Sequence, residues 1–192
     1  MLGTLVACAL VAPPFAIAAI VAERFLAEAA DERSYVVILR HGNAPGRNEP
    51  ENFNLDDCRT QRNLSDNGRD EMRDIGEQVR RQGIKVTEVL TSRWCRARET
   101  AELLKIGPVK NEPAFDNLEF NKNHTAELLD RERQLIMSWR GPGVLVIVTH
   151  SSNIKALTGL ELDQGVMIVA DPTQAGRITF RPSKISLKDI FS

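Results

Sequence analysis

Two histidines each follow a short apolar run: His41 in Leu39-Arg40-His41-Gly42, and His150 in Val148-Thr149-His150-Ser151. A third segment, Thr91-Ser92-Arg93, closes a run of the same kind from Val86 to Leu90. The chain has only three histidines, and the third, His124, begins a polar helical stretch and reads as a surface residue. Nine arginines lie between Arg59 and Arg98, against a single lysine, Lys85. A guanidinium presents a planar fork of donors that matches an oxyanion, so several together suit a phosphoryl group. Nearby arginines also disfavour imidazolium, which leaves a neutral ring able to act as a nucleophile near neutral pH. Most of the nine are expected to lie on solvated helix faces. Two histidines at equivalent positions with arginines beside them nevertheless point to anion chemistry rather than to two separate structural rings.

Such residues need a frame. Tyr35 to Leu39 is a β-branched apolar run, a buried-strand signal, and a loop rich in Gly, Pro and Asn follows from Gly42 to about Asn54. Ser65 is an N-cap candidate, with Asp66 and Asp70 suited to the positive helix end. Met72, Ile75, Gly76 and Val79 then fall on one face of a helix that stops at Gly83. Val86 to Leu90 predicts a second strand, and an alanine-rich helix runs from about Arg93 to Lys105 before Gly107-Pro108. A loop with Pro113, Asp116 and Glu119 leads to a helix from Thr125 to Trp139, ended by Gly141-Pro142-Gly143. Val144 to Val148 is a buried strand with a short helix after it, Asn153 to about Leu160. Val166 to Ala170 and Arg177 to Phe180 read as a closing pair. Strands alternating with helices predict an α/β fold, its largely parallel sheet covered on both faces. In such sheets ligands bind beyond the carboxyl ends of the strands, so the three polar strand ends are expected on one rim.

Bulk composition narrows the partners. The formal net charge is −1, from 25 basic and 26 acidic residues, which is no footprint of nucleic-acid binding. Met1 to Ala22 carries no charged side chain; Glu23 and Arg24 are the first. That pattern predicts a signal peptide or a membrane anchor over 1–30 with its linker, and one globular domain over 31–192. Small-x-small sites stand at Ala16-Ile17-Ala18 and Ala27-Glu28-Ala29, whereas a basic n-region is missing and Pro13-Pro14 interrupts the run. Export to a bacterial periplasm is the expectation, with attachment to the membrane through residues 1–22 as the alternative. Cys8 reads as an ordinary apolar cysteine within the leader. Cys58 and Cys95 remain, either as free thiols or as a disulfide in an oxidising compartment. Neither has a second ligand at zinc-binding spacing, so no metal is expected.

Four segments together resemble the histidine phosphatase superfamily, in its phosphoglycerate-mutase-like branch 1. Leu39-Arg40-His41-Gly42 is similar to its signature, and Asn63-Leu64-Ser65-Asp66-Asn67-Gly68 to its L-S-x-x-G helix start. Ser92-Arg93-Trp94-Cys95-Arg96-Ala97-Arg98-Glu99-Thr100-Ala101 is similar to its S-x-x-x-R-A-x-x-T-A segment, and Val148-Thr149-His150 to the strand before its second histidine. The resemblance runs from about Tyr35 to Phe180. It implies a three-layer α/β/α sandwich and a metal-independent phosphatase, without cofactor, working through phosphohistidine on His41. Arg40, Arg96 and His150 would hold the phosphoryl oxygens, with Ser151 and Asn43 beside the substrate. Glu119 would be the proton donor, or failing it Asp116; Arg62 and Arg47 are candidates to touch substrate, with surface placement the first expectation for both. Ser151 stands where the family often has glycine, and only some 44 positions separate Ala101 from Leu145, which implies a small covering insertion and an open site. The cysteines resemble those of an exported bacterial subgroup, which implies a Cys58–Cys95 bond close to Arg96. The implied substrate is a phosphorylated small molecule or an envelope sugar phosphate. A phosphohistidine phosphatase and a silent phosphate-binding domain are the rival readings.

Overall fold

The computed structural model describes residues 35–171 and 178–182; the leader expected over 1–30 lies outside them. Six strands form one sheet in the order β3-β2-β4-β1-β5-β6. They are β1 (Tyr35–Arg40), β2 (Val86–Thr91), β3 (Val109–Asn111), β4 (Val144–Thr149), β5 (Met167–Asp171) and β6 (Thr179–Pro182). β3, β2, β4 and β1 pair in parallel, whereas β5 runs antiparallel to β1 and β6 antiparallel to β5. Four helices pack on the sheet: α1 (Asp66–Arg81), α2 (Cys95–Leu104), α3 (Thr125–Ser138) and α4 (Ser151–Thr158).

The two-residue period of a strand splits the core into two halves. Val144, Val146 and Val148 of β4 face Met72 and Ile75 of α1 and Ala97, Ala101 and Leu104 of α2. Leu145 and Ile147 of the same strand face Ile136 of α3 and Ile154 of α4, with Phe115 between them. Helices therefore cover both faces, giving a three-layer α/β/α sandwich.

Local chemistry sets the helix ends. Ser65 caps α1, its side chain accepting from the Gly68 N–H at 3.0 Å, and the chain leaves that helix through Gly83 at φ 68°. Gly76 matters for a different reason: a Cβ built there would lie 1.9 Å from the Leu104 carbonyl oxygen. Only glycine lets α1 approach the end of α2 so closely. β3 is the one strand the apolar pattern does not announce. It spans three residues at the sheet edge, with two of them exposed, so it buries too little to leave a periodic trace.

Candidate active site

Register brings the polar strand ends together. Arg40 pairs with Thr149 across β1 and β4, and Thr91 pairs with Val148 across β2 and β4. The ladders continue one step past the strands, with His41 N donating to Thr149 O and Ser92 N to Val148 O, both at 3.1 Å. His41, His150 and Ser92 thus sit side by side on one rim, with the two imidazole centroids 5.4 Å apart. Both histidines are buried, at 2% exposure.

Hydrogen bonding fixes the tautomers. His41 Nδ1 lies 2.9 Å from the Gly42 carbonyl oxygen, which can only accept, so Nδ1 carries the proton. His41 Nε2 is left with its lone pair, and Arg96 Nε donates to it at 3.1 Å. His150 Nδ1 faces Arg96 Nη2 at 3.4 Å, and its Nε2 lies 2.8 Å from Ser92 Oγ. Because a guanidinium only donates, the His150 proton belongs on Nε2, toward Ser92. Burial, and then the charge of Arg96, hold both rings well below the ordinary histidine range, so both are neutral at pH 7. Burial also pulls Arg96 down to about 10, which leaves it charged.

Arg96 is the hub. It enters on the first turn of α2, only 1% exposed, between His41 and His150. Thr100, one turn later, accepts from Gly42 N at 2.9 Å and donates to Arg96 O at 2.8 Å, which ties the His41 loop to the arginine's helix. Cys95, the neighbouring residue, is bonded to Cys58, with their Cα atoms 5.6 Å apart. Arg40 is half-buried; its Nη1 donates to Leu162 O at 2.6 Å, while its Nε is buried with no partner in the protein. An orphaned buried donor next to two neutral imidazoles suits an anion.

The remaining expected residues divide. Ser151 opens α4 directly after His150, whose side chain makes no cap bond, so amides of that first turn stay without helical partners. Asn43 is exposed, and its amide is committed at both ends: Nδ2 to Gln164 Oε1 at 2.9 Å, and Oδ1 from Ser65 Oγ at 2.7 Å. It braces the loop after His41 against α1. Asp116 is buried and saturated: Arg93 gives it N at 2.8 Å, Nε at 2.8 Å and Nη2 at 2.5 Å, and Ser92 Oγ lies 3.4 Å away. It therefore orients Arg93 and, through Ser92, His150. Glu119 is exposed, and its charge is felt by Arg40. No hydrogen bond or ion pair engages its carboxylate among the described residues, so it is the freer of the two acids. His124 is a surface residue beside Glu127, and Arg47 is exposed.

Two further charged residues belong to the pocket, and of these the sequence reading misses Glu49 altogether. Arg62, expected first at the surface and second at the substrate, is half-buried, and its charge acts on His41, His150, Arg40 and Arg96 alike. Its Nη1 donates to Ala44 O, which folds the side chain inward, and its Nε is buried without a partner. Glu49, in the loop after β1, buries its side chain to 3% exposure and pairs with Arg96 Nη1 at 2.5 Å. Neither position has a periodicity that marks it, since both depend on how an irregular loop packs. Among the described residues no group of three His, Cys, Asp or Glu side chains converges as a metal cage.

At the carboxyl rim of a largely parallel α/β sandwich, a neutral histidine pair and an arginine cluster form a pocket suited to an oxyanion. Comparison with family models matches residues 36–142 to the histidine phosphatase superfamily, branch 1. The chain belongs to that superfamily. Among solved structures it is similar to the open reading frame Rv3214 of Mycobacterium tuberculosis, at 13% identity and a TM-score of 0.55, over 77% of this chain and 95% of that one. It is also similar to a phosphoserine phosphatase of Entamoeba histolytica, at 14% identity and a TM-score of 0.54, over 77% and 94% of the two chains. A mycobacterial glucosyl-3-phosphoglycerate phosphatase aligns at 16% identity with a TM-score of 0.51, over 77% and 95%. Likeness at these identities concerns the fold. No curated protein matches the sequence.

Proposed function

We propose that the protein hydrolyses small phosphomonoesters through a phosphohistidine on His41. The observation that carries this reading is the His41 ring itself: neutral, buried, with Nδ1–H anchored on Gly42 O and the Nε2 lone pair aimed at the arginine cluster. A phosphoryl group entering between the two rings takes over the Nε donor of Arg96, which frees His41 Nε2 to attack phosphorus. The N–P bond forms as the ester P–O bond breaks, and the leaving oxygen takes a proton from Glu119. The bond to Gly42 O supports the positive charge that the ring gains. Arg40, Arg62 and Arg96 hold the phosphoryl oxygens; His150 takes up a proton from solvent at Nδ1 as the dianion binds, which gives that ring a donor as well, and gives it back as phosphate leaves. Water then attacks phosphorus, gives its proton to the Glu119 carboxylate, and releases inorganic phosphate and free His41.

Export is part of the proposal. The uncharged segment Met1–Ala22 and a disulfide between the remaining cysteines both suit an oxidising compartment, and the substrate is then a phosphomonoester of the cell envelope. Among the described residues no helix is long and apolar enough to cross a membrane. The test is turnover of phenyl and alkyl phosphates by the leaderless protein. His41→Ala is expected to abolish both, and Glu119→Gln to slow the alkyl ester far more, because a phenolate leaves without a proton. Equal slowing of both esters would remove Glu119 from the acid role.

A further inference from the structure

Arg96 is gripped from three sides. Its Nε meets His41 Nε2 at 3.1 Å and its Nη2 meets His150 Nδ1 at 3.4 Å, so that edge borders the space between the imidazoles. The opposite corner, Nη1, donates to Glu49 Oε1 at 2.5 Å and lies 3.5 Å from Arg62 O. Glu49 is itself held, since its Oε2 accepts from Arg62 N at 2.8 Å. Both side chains of the pair are almost completely buried, at 1% for Arg96 and 3% for Glu49. A buried guanidinium needs a partner for the donors it does not use, and a long arginine side chain needs a fixed point to hold one rotamer. Glu49 supplies both without entering the space between the histidines. It also places one negative charge among the three arginines of the pocket.

We propose that Glu49 is a positioning residue: its carboxylate holds the Nη1 corner of Arg96 so that the Nε–Nη2 edge stays turned to the phosphoryl group, and its charge keeps the pocket from retaining product phosphate. The inference rests on the phosphatase reading above. It predicts two separable effects, because a neutral amide in place of the carboxylate keeps an acceptor for Nη1 but removes the charge.

The experiment measures kcat and KM for 4-nitrophenyl phosphate, competitive inhibition by inorganic phosphate, and thermal unfolding in wild type, Glu49→Ala and Glu49→Gln. Glu49→Ala is expected to lose at least about tenfold in kcat, the scale of one charge-assisted hydrogen bond. Glu49→Gln is expected to recover most of that loss and to bind inorganic phosphate at least about threefold tighter, as one negative charge leaves a partly desolvated site. A kcat/KM in Glu49→Ala at or above wild type would mean that Glu49 competes with substrate, and would overturn the proposal. Equal losses in both variants with unchanged phosphate inhibition would also overturn it, by reducing Glu49 to a fold residue. If Glu49→Ala does not fold, the phosphate inhibition of Glu49→Gln decides alone. If wild type turns over no phosphomonoester, the phosphatase reading is what fails. Stabilisation of wild type and Glu49→Gln by inorganic phosphate in thermal unfolding then still tests the charge role of Glu49.

Discussion

The disulfide offers a perturbation whose size follows from the structure. It joins the short 3₁₀ turn at Cys58–Thr60 to the first residue of α2, closing a loop between positions 37 apart. Between them lie the second half of the loop after β1 with Arg62, then α1, then β2, which leads to Ser92 at the rim. In the chain-entropy treatment, cross-linking that separation stabilises the folded state by about 4 kcal/mol. For a domain of this size that corresponds to a melting temperature higher by about 8–16 °C. Activity has a second tether and is expected to fall less. Gln61 Oε1 accepts from Cys95 N at 2.9 Å, and Asn63 Nδ2 donates to Cys58 O at 2.6 Å; both bonds use groups that survive loss of the sulfurs. Replacing both cysteines with serine is therefore expected to lower thermal and urea midpoints sharply while kcat/KM at 25 °C drops less than about tenfold. The assay pairs unfolding curves with kinetics for wild type, the double variant, and wild type under reductant. Midpoints that coincide across the three would show that the cross-link contributes nothing, because the loop would then already be ordered without it.

Three further outcomes follow from the same geometry. His41 must be neutral to attack, and burial with Arg96 lowers its affinity for a proton, so the acid limb of kcat/KM is expected below pH 6.5; Arg62→Met should move that limb upward, and a wild-type limb at or above 6.5 contradicts the picture. Glu132 is fully buried between α3 and α4, accepts from Asn153 Nδ2 at 2.5 Å, leaves Oε2 without a partner, and is raised to about 8. The folded state thus keeps a proton that the unfolded state loses above pH 4.5, so stability falls as pH rises from there to 8. Glu132→Gln should remove that slope and gain on the order of 3 kcal/mol near pH 7–8, which unfolding at pH 5 and pH 8 would show; a gain equal at both pH values counts against it. Gly76→Ala forces a methyl group onto the Leu104 carbonyl and is expected to cost about 1–3 kcal/mol, measurable as a lower urea midpoint; an unchanged midpoint would mean that α1 and α2 separate freely.

Much of the frame is legible in the sequence because burial imposes a period. β4 is apolar at five consecutive positions and fully buried at all of them, and the strand ends of β1, β2 and β4 fall where the polar residues begin. His41, His150 and Arg96 share a rim because parallel neighbours place equivalent ends side by side. Ser65 could be read as a cap because its hydroxyl does local work. Glu49 was illegible, and Arg62 ambiguous between surface and substrate, for the opposite reason. Their burial comes from a loop that packs through long-range contacts, among them Arg62 Nη1 to Ala44 O and Glu49 to Arg96, and no repeat in the sequence encodes these. The choice between Asp116 and Glu119 was likewise beyond composition. A 3₁₀ turn from Pro113 to Phe115 delivers Asp116 inward to Arg93, and a second turn from Leu118 to Phe120 leaves Glu119 outside, where its carboxyl is free.

The proposed mechanism stands or falls on the covalent step at His41. It is tested by rapid-quench mass spectrometry of residues 31–192 mixed with excess substrate under neutral or alkaline conditions, where a phosphoramidate survives. A phosphohistidine intermediate gives a transient mass increase of one phosphoryl group, located by fragmentation on His41, formed at least as fast as turnover and absent from His41→Ala. Turnover in wild type with no such species at any time, or an intact burst in His41→Ala, would contradict it.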